Sequence, residues 1–380
     1  MTSPTLARSR RRRRRPAWLE NVRQFTPNWF AVTMGTGVVC LVLNALPGAS
    51  PLKTLLAGWL WRLDIVLYAL FAAMFVGRLV LFGDTVRPLL HHPLQSMFLG
   101  AIPMGLAPIV NGIVLFAGAH DGNAATSVAL ALWAFDALLS IVVAIGVPYL
   151  AFTVQEHSVE RLTAALLLPI VAPEVAAASA ALLAPHLPAA SAQVVVGVGY
   201  LLWAISVPLA FSILTIVLFR LVIHKLPHRE LGVTSWLTLG PIGTGALGLI
   251  TLGEAAARAF AGTALQPAAL LARDFGVFGA LLLWGAGLWW LACAALFMWR
   301  YRREGLPFNL GWWGFTFPIG VYTLATFNLA RVTGFGAFTE AGVVFASLLG
   351  MLWLLVLGRT LHGFTVGRMF QAPCLATRHG

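Results

Sequence analysis

Apolar stretches long enough to cross a bilayer follow one another through almost the whole chain, and the connections between them are too short to hold a soluble domain. Roughly 20 residues cross the hydrocarbon core as a helix. Such stretches can be placed at 27–47, 60–82, 93–118, 125–152, 161–184, 192–222, 233–257, 269–300, 311–332 and 338–362. With 59% hydrophobic and 10% charged residues, no soluble domain of this size could cover its surface. The expected class is an all-α integral membrane protein with ten transmembrane helices. The bundle would occupy 25–365, between a basic tail at 1–24 and a second tail at 366–380.

Within the spans a phrase recurs. Pro103, Pro169, Pro241 and Pro318 each lie in a stretch rich in small residues, at steps of 66, 72 and 77, and Pro27 opens a diverged fifth copy. A unit of that size holds two spans, so the chain reads as a duplicated helical hairpin. Odd spans carry the prolines and glycines, whereas even spans are bulkier. Proline frees a backbone carbonyl one turn earlier, and in lipid that group needs a partner or water. The five prolines are therefore read as kinks in helices around a cavity. The expected architecture is five helical hairpins around a pseudo-fivefold central pore, odd helices inside. Its lining would include Thr33, Thr36, Asn111, Thr244, Thr323 and Asn328, with Thr251 and Thr316.

Charge supplies an orientation. If both termini are cytoplasmic, 20 of the 25 basic residues fall on that side, among them the run Arg10 to Arg15, as the positive-inside rule requires. That run next to a first span reads as a topology signal and a contact for anionic lipid, not as a nucleic-acid arm. The expected location is the cell membrane, plasma or inner. Cys40, Cys293 and Cys374 are far apart and suggest neither a disulfide framework nor a metal site. No HExxH, nucleophile elbow or phosphate loop occurs, so an enzyme is not expected and no cofactor is implied.

Three segments carry a resemblance. Phe25-Thr-Pro-Asn-Trp-Phe-Ala-Val-Thr-Met-Gly-Thr-Gly37 resembles the first span of the tellurite-resistance/dicarboxylate transporter family, which includes malate permeases, sulfite efflux pumps, tellurite-resistance proteins and plant slow anion channels. Trp312-Trp-Gly-Phe-Thr-Phe-Pro-Ile-Gly320 resembles its ninth span, and Leu239-Gly-Pro-Ile-Gly-Thr-Gly-Ala-Leu-Gly248 the seventh span of the sulfite and malate branch. The resemblance covers roughly 21–365 and implies a ten-helix bundle, commonly a homotrimer with one pore per subunit, conducting small anions such as sulfite or a C4-dicarboxylate. It also implies a phenylalanine gate on the ninth helix, which here is Phe317.

Ionisable groups at membrane depth are costly and are functional candidates. Glu174, just after Pro173, is the candidate for a protonation step coupled to anion movement. Asp136, on an even helix, is read as bonding a neighbouring helix or lying at a subunit interface. Arg258 and Arg331 end odd helices and are vestibule candidates, with Glu254 and Glu340 as possible salt-bridge partners. A channel for chloride or nitrate needs only pore and gate, whereas a proton-coupled carrier needs a titrating group such as Glu174.

Overall fold

The computed structural model describes residues 16–117, 122–366 and 369–376. The run Arg10 to Arg15 lies outside the described residues, as do Arg368 and Arg378 of the C-terminal tail. The described residues form helices and no strands. A short helix, Ala17–Arg23, precedes ten long ones: α1 Phe30–Ala45, α2 Pro51–Leu81, α3 Ala101–Gly112, α4 Gly122–Thr153, α5 Leu167–Leu183, α6 Ala189–His224, α7 Leu239–Ala259, α8 Gln266–Glu304, α9 Thr316–Thr333 and α10 Gly336–Thr365. Among the described residues nine segments are long and apolar enough to cross a membrane. The chain is an integral membrane protein. The helix outside that set is α9, which carries Thr316, Thr323, Thr326, Asn328 and Arg331. It is enclosed by α1, α7 and α10, and that enclosure is what tolerates its polar composition.

The alternation of small and bulky helices corresponds to an inside and an outside. In the odd segments that begin at Pro27, Ser96, Ala164 and Arg229, 67–83% of the apolar window is buried, against 17–39% in the even helices. Packing runs α1 on α3, α3 on α5, α5 on α7, α7 on α9, and α9 back on α1. The ring is closed. Each even helix lies outside it, against the inner helix of its own hairpin and the inner helix that follows.

Two repeated devices hold the ring together. The first is a 3-10 entry. Pro27–Trp29, Ser96–Gly100, Ala164–Leu166, Arg229–Thr238 and Leu310–Phe315 lead directly into α1, α3, α5, α7 and α9. Pro103, Pro169, Pro241 and Pro318 each occupy the third position of the α-helix that follows, and Pro27 the first position of its 3-10 turn. Proline cannot donate the i→i−4 bond, so the ladder on its N-terminal side closes by i→i−3 bonds instead. The repeated prolines thus mark a change of helix type at the first turn of each inner helix. The prolines inside α-helices are Pro108, Pro148, Pro173 and Pro208.

The second device is a tryptophan clamp. Trp61 donates its indole N–H to the Ile109 carbonyl (3.2 Å), Trp133 to the Ala176 carbonyl (2.9 Å) and Trp203 to the Gly245 carbonyl (3.2 Å). Trp284 donates to Thr326 Oγ1 (2.9 Å) and Trp353 to Thr36 Oγ1 (3.2 Å). Every outer helix is thereby pinned to the next inner helix, and α10 reaches round to α1. Inner helices also approach closely where a side chain is missing. A Cβ on Gly243 would lie 2.7 Å from the Tyr322 backbone nitrogen, a separation only glycine permits.

One boundary differs in a way that matters later. The second span begins at Pro51 and not near residue 60, because Ser50 caps Lys53 N–H and Pro51 starts the helix. Asp64 therefore sits well inside a membrane helix, and Arg62 with it, exposed on the outer face and stacked on Trp59 at 5.4 Å.

Removing one clamp should loosen the ring. Trp133→Phe is expected to cost about 1–3 kcal/mol from the lost hydrogen bond and the smaller ring, read as a lower thermal unfolding temperature in detergent. Trp289→Phe, at an exposed position on the outer face of α8, should leave that temperature unchanged.

Candidate functional site

The five 3-10 entries converge, because every inner helix starts from the same side of the bundle. Where they meet is a cavity of about 50 Å³, reached by Met34 of α1, Met104 of α3, Leu168 of α5, Gly240 of α7 and Phe317 of α9. No other described cavity touches all five inner helices. Leu168, Gly240 and Phe317 are equivalent by the repeat, since each immediately precedes its proline. One position of the hairpin unit thus presents a leucine, nothing and a phenyl ring to the same space. Gly240 is buried, yet a Cβ there would meet no atom within 4 Å, so the missing side chain is what leaves room beside the ring. Phe317 itself is only 4% exposed, and the wall around it is apolar apart from Thr234.

The other expected lining residues lie elsewhere. Thr33 donates to the Phe30 carbonyl (2.8 Å) and Thr323 to the Ile319 carbonyl (2.6 Å), both fully buried. Thr36 is taken by Trp353. Asn328 donates to the Leu324 carbonyl and accepts from Arg331. None of these borders the cavity. In a dry helix bundle a hydroxyl finds its own backbone carbonyl one turn back before it finds the lumen. Thr244 Oγ1 and Asn111 Oδ1, by contrast, are buried with no hydrogen-bond partner.

Arg331 forms a bidentate pair with Glu254 at 2.8 and 2.7 Å, a geometry that fixes the guanidinium to the end of α7. Arg258 is exposed, and no ion pair to it occurs among the described residues. Glu174 is fully buried on α5, with both carboxyl oxygens unpartnered. Ser206, beside it, donates to the Ile170 carbonyl at 2.7 Å. Asp136 is 1% exposed with Oδ1 unpartnered. The sequence reading missed Asp64, which is fully buried with both oxygens unpartnered. The spacing that would have found it is Trp-x-x-Asp, shared by Trp61 and Asp64 with Trp133 and Asp136. No group of three or more His, Cys, Asp or Glu able to hold a metal occurs among the described residues.

The chain matches the family described as SLAC1, voltage-dependent anion channel, over residues 24–361. It belongs to that family. Among its relatives, the sulfite efflux pump SSU1 of Arthroderma benhamiae is 38% identical over 364 residues, covering 94% of this chain and 96% of the relative. The SSU1 pump of Trichophyton rubrum is also 38% identical over 94% of this chain and 96% of its own. The malic acid transport protein of Schizosaccharomyces pombe is 22% identical over 91% of this chain and 80% of its own. The family moves anions across membranes and is not a family of enzymes.

Outside the spans, His92 helps to seat the α3 entry. Its Nδ1 accepts the backbone N–H groups of Leu94 and Gln95, both at 3.2 Å. Burial holds its pKa below the ordinary 6.5, while its own backbone hydrogen bond opposes that shift. The neutral ring is the folded form, so its contribution is complete above pH 6.5 and is lost as pH falls below that value, because the unfolded chain protonates first. Thermal stability in detergent should fall as pH drops below 6.5, and His92→Gln should flatten that part of the profile.

Proposed function

We propose that this protein moves small anions, sulfite foremost, along the axis of the ring of five inner helices, and that Phe317 is the gate. The observation that carries this is the cavity to which every repeat unit contributes and in which Phe317 faces the space left by Gly240. A buried ring in an apolar constriction excludes both water and ions, and its displacement opens a path. The choice of sulfite over malate or chloride rests on the 38% identity to sulfite efflux pumps over nearly the full length of both chains. The basic ends of the helices support cytoplasmic N- and C-termini in the plasma or inner membrane. The ten-helix domain at 25–365 would assemble as a homotrimer with an independent, pseudo-fivefold pore in each subunit. Unpartnered Asn111 Oδ1 and Thr244 Oγ1 are suited to hold water or polar groups along the route, and the exposed Arg258 to attract anions to its mouth.

Flux of sulfite, malate, chloride and nitrate into liposomes carrying the full chain tests the reading. Phe317→Ala should raise sulfite flux about tenfold or more, the effect of lifting roughly 1.4 kcal/mol from the barrier. Gly240→Leu, which fills the space beside the ring, should lower it. Unchanged flux in both variants would remove the gate from Phe317.

A second reading, coupled transport, is favoured by Glu174, whose fully buried carboxyl has no counter-charge among the described residues. An isolated carboxylate is too costly at that depth, so the group belongs in its neutral form until the cavity opens. Glu174→Gln should then abolish any acceleration of sulfite flux by a pH gradient while leaving downhill flux in place. Acceleration equal to the unsubstituted protein would reject Glu174 as the coupling group.

A further inference from the structure

The clamp tryptophans put the five outer helices in register, and the residue three places after each one points inward. Those residues are Asp64, Asp136, Ser206, Gly287 and Val356, all buried. In the third hairpin the position is a donor, since Ser206 gives its O–H to the Ile170 carbonyl of its own inner helix at 2.7 Å. In the first hairpin it is an aspartate set against Gly37 of its own inner helix. A Cβ on Gly37 would lie 2.7 Å from Asp64 Oδ2. A carboxylate cannot donate to a helix backbone; a carboxylic acid can.

Among the described residues the surroundings offer no cation to pair with. Asp64 is met by Gly37 and Cys40 of α1 and Pro108 of α3, and Asp136 shares its face of α4 with Ser140. Glu174, on α5 packed against α4, is a further acid, and Ser206 beside it is spoken for. Tyr68, one turn from Asp64 on α2, lies within electrostatic reach of both aspartates. Its O–H is committed to the Ile102 carbonyl at 3.2 Å, so its oxygen is left as an acceptor for a carboxylic O–H. The nearest cation in sequence, Arg62, faces outward over Trp59. Both oxygens of Asp64, Oδ1 of Asp136 and the Ser140 hydroxyl have no partner. Two bare carboxylates in such a wall would each cost several kcal/mol or more.

We propose that Asp64 and Asp136, together with the Tyr68 that both reach, form a proton-binding site in the wall between the first two hairpins, apart from the axial route, and that its occupancy is coupled to anion passage. The ligand is a proton. Binding converts a carboxylate oxygen to O–H, which donates to an inner-helix carbonyl or to Tyr68; release restores the carboxylate. Because Asp64 abuts Gly37 on the ring itself, a change of charge there acts directly on the packing of α1 against α3.

The test uses the full chain in liposomes, with sulfite flux measured with and without an imposed pH gradient. Infrared spectra of the same samples would follow the carbonyl stretch of neutral carboxylic acid. Asp64→Asn and Asp136→Asn preserve size. Each is expected to lose part of the neutral-acid band and the response to the gradient, while flux down a sulfite gradient at equal pH stays within twofold. The gradient changes the protonation of sulfite equally in all samples, so the comparison between proteins isolates the site. If one variant does not fold, the other reports on the same pair. The inference is overturned if the band is intact in the folded variants, or if the gradient response of the unsubstituted protein is absent or survives both substitutions. It rests on anion transport as proposed above, yet the failures separate. A chain that moves no anion refutes the transport reading, whereas an intact band refutes this site whatever the flux. Glu174→Gln, run alongside, should leave the band of the aspartate pair in place.

Discussion

Backbone carbonyls at membrane depth have no water to turn to, and the ring follows from how each of them is satisfied. Proline at the start of an inner helix removes a donor, and a 3-10 turn closes the gap. Further along, the inner helix receives a donor from outside, the indole of the adjacent outer helix. Threonine hydroxyls within the wall fold back on their own helix. The space at the axis that these helices enclose is small and lined by apolar groups apart from Thr234.

That dryness has a functional side. A narrow route with little fixed charge binds an anion weakly, and weak binding lets it leave. At the constriction three equivalent positions of the repeat hold Leu168, Gly240 and Phe317. Divergence at one position within a repeated unit is enough to turn a symmetric plug into a gap beside a ring. Asp64, Asp136 and Glu174 do not border the space at the axis.

Much of this was legible in the sequence, and the exceptions have physical causes. Helical class, the hairpin repeat and the division into inner and outer helices followed from apolar runs and the spacing of prolines, because those patterns are local. Phe317 was singled out through its family motif, and the convergence of five entries explains its burial beside the cavity. The repeated prolines were visible in the chain, but not that each stands at the start of an inner helix, since sequence does not show where a 3-10 turn hands over to an α-helix. The threonines were assigned to the lumen because a hydroxyl on an inner helix can face either way. Asp64 escaped notice because the second span was started near residue 60, at the edge of the apolar run, whereas Ser50 and Pro51 begin the helix well before it. The clamps were invisible because indole donors recognise a neighbour that only the fold supplies.

The bond from Trp353 to Thr36 joins the last outer helix to the first inner one. Seen in order of synthesis, α1 enters the bilayer long before two of its four later neighbours, α9 and α10, exist. Its packing sites for α9 and α10 stay vacant until the final hairpin arrives. The ring is thus a clasp fastened by its C-terminal end, and a chain truncated before residue 353 would lack the bond that ties the last outer helix back to α1.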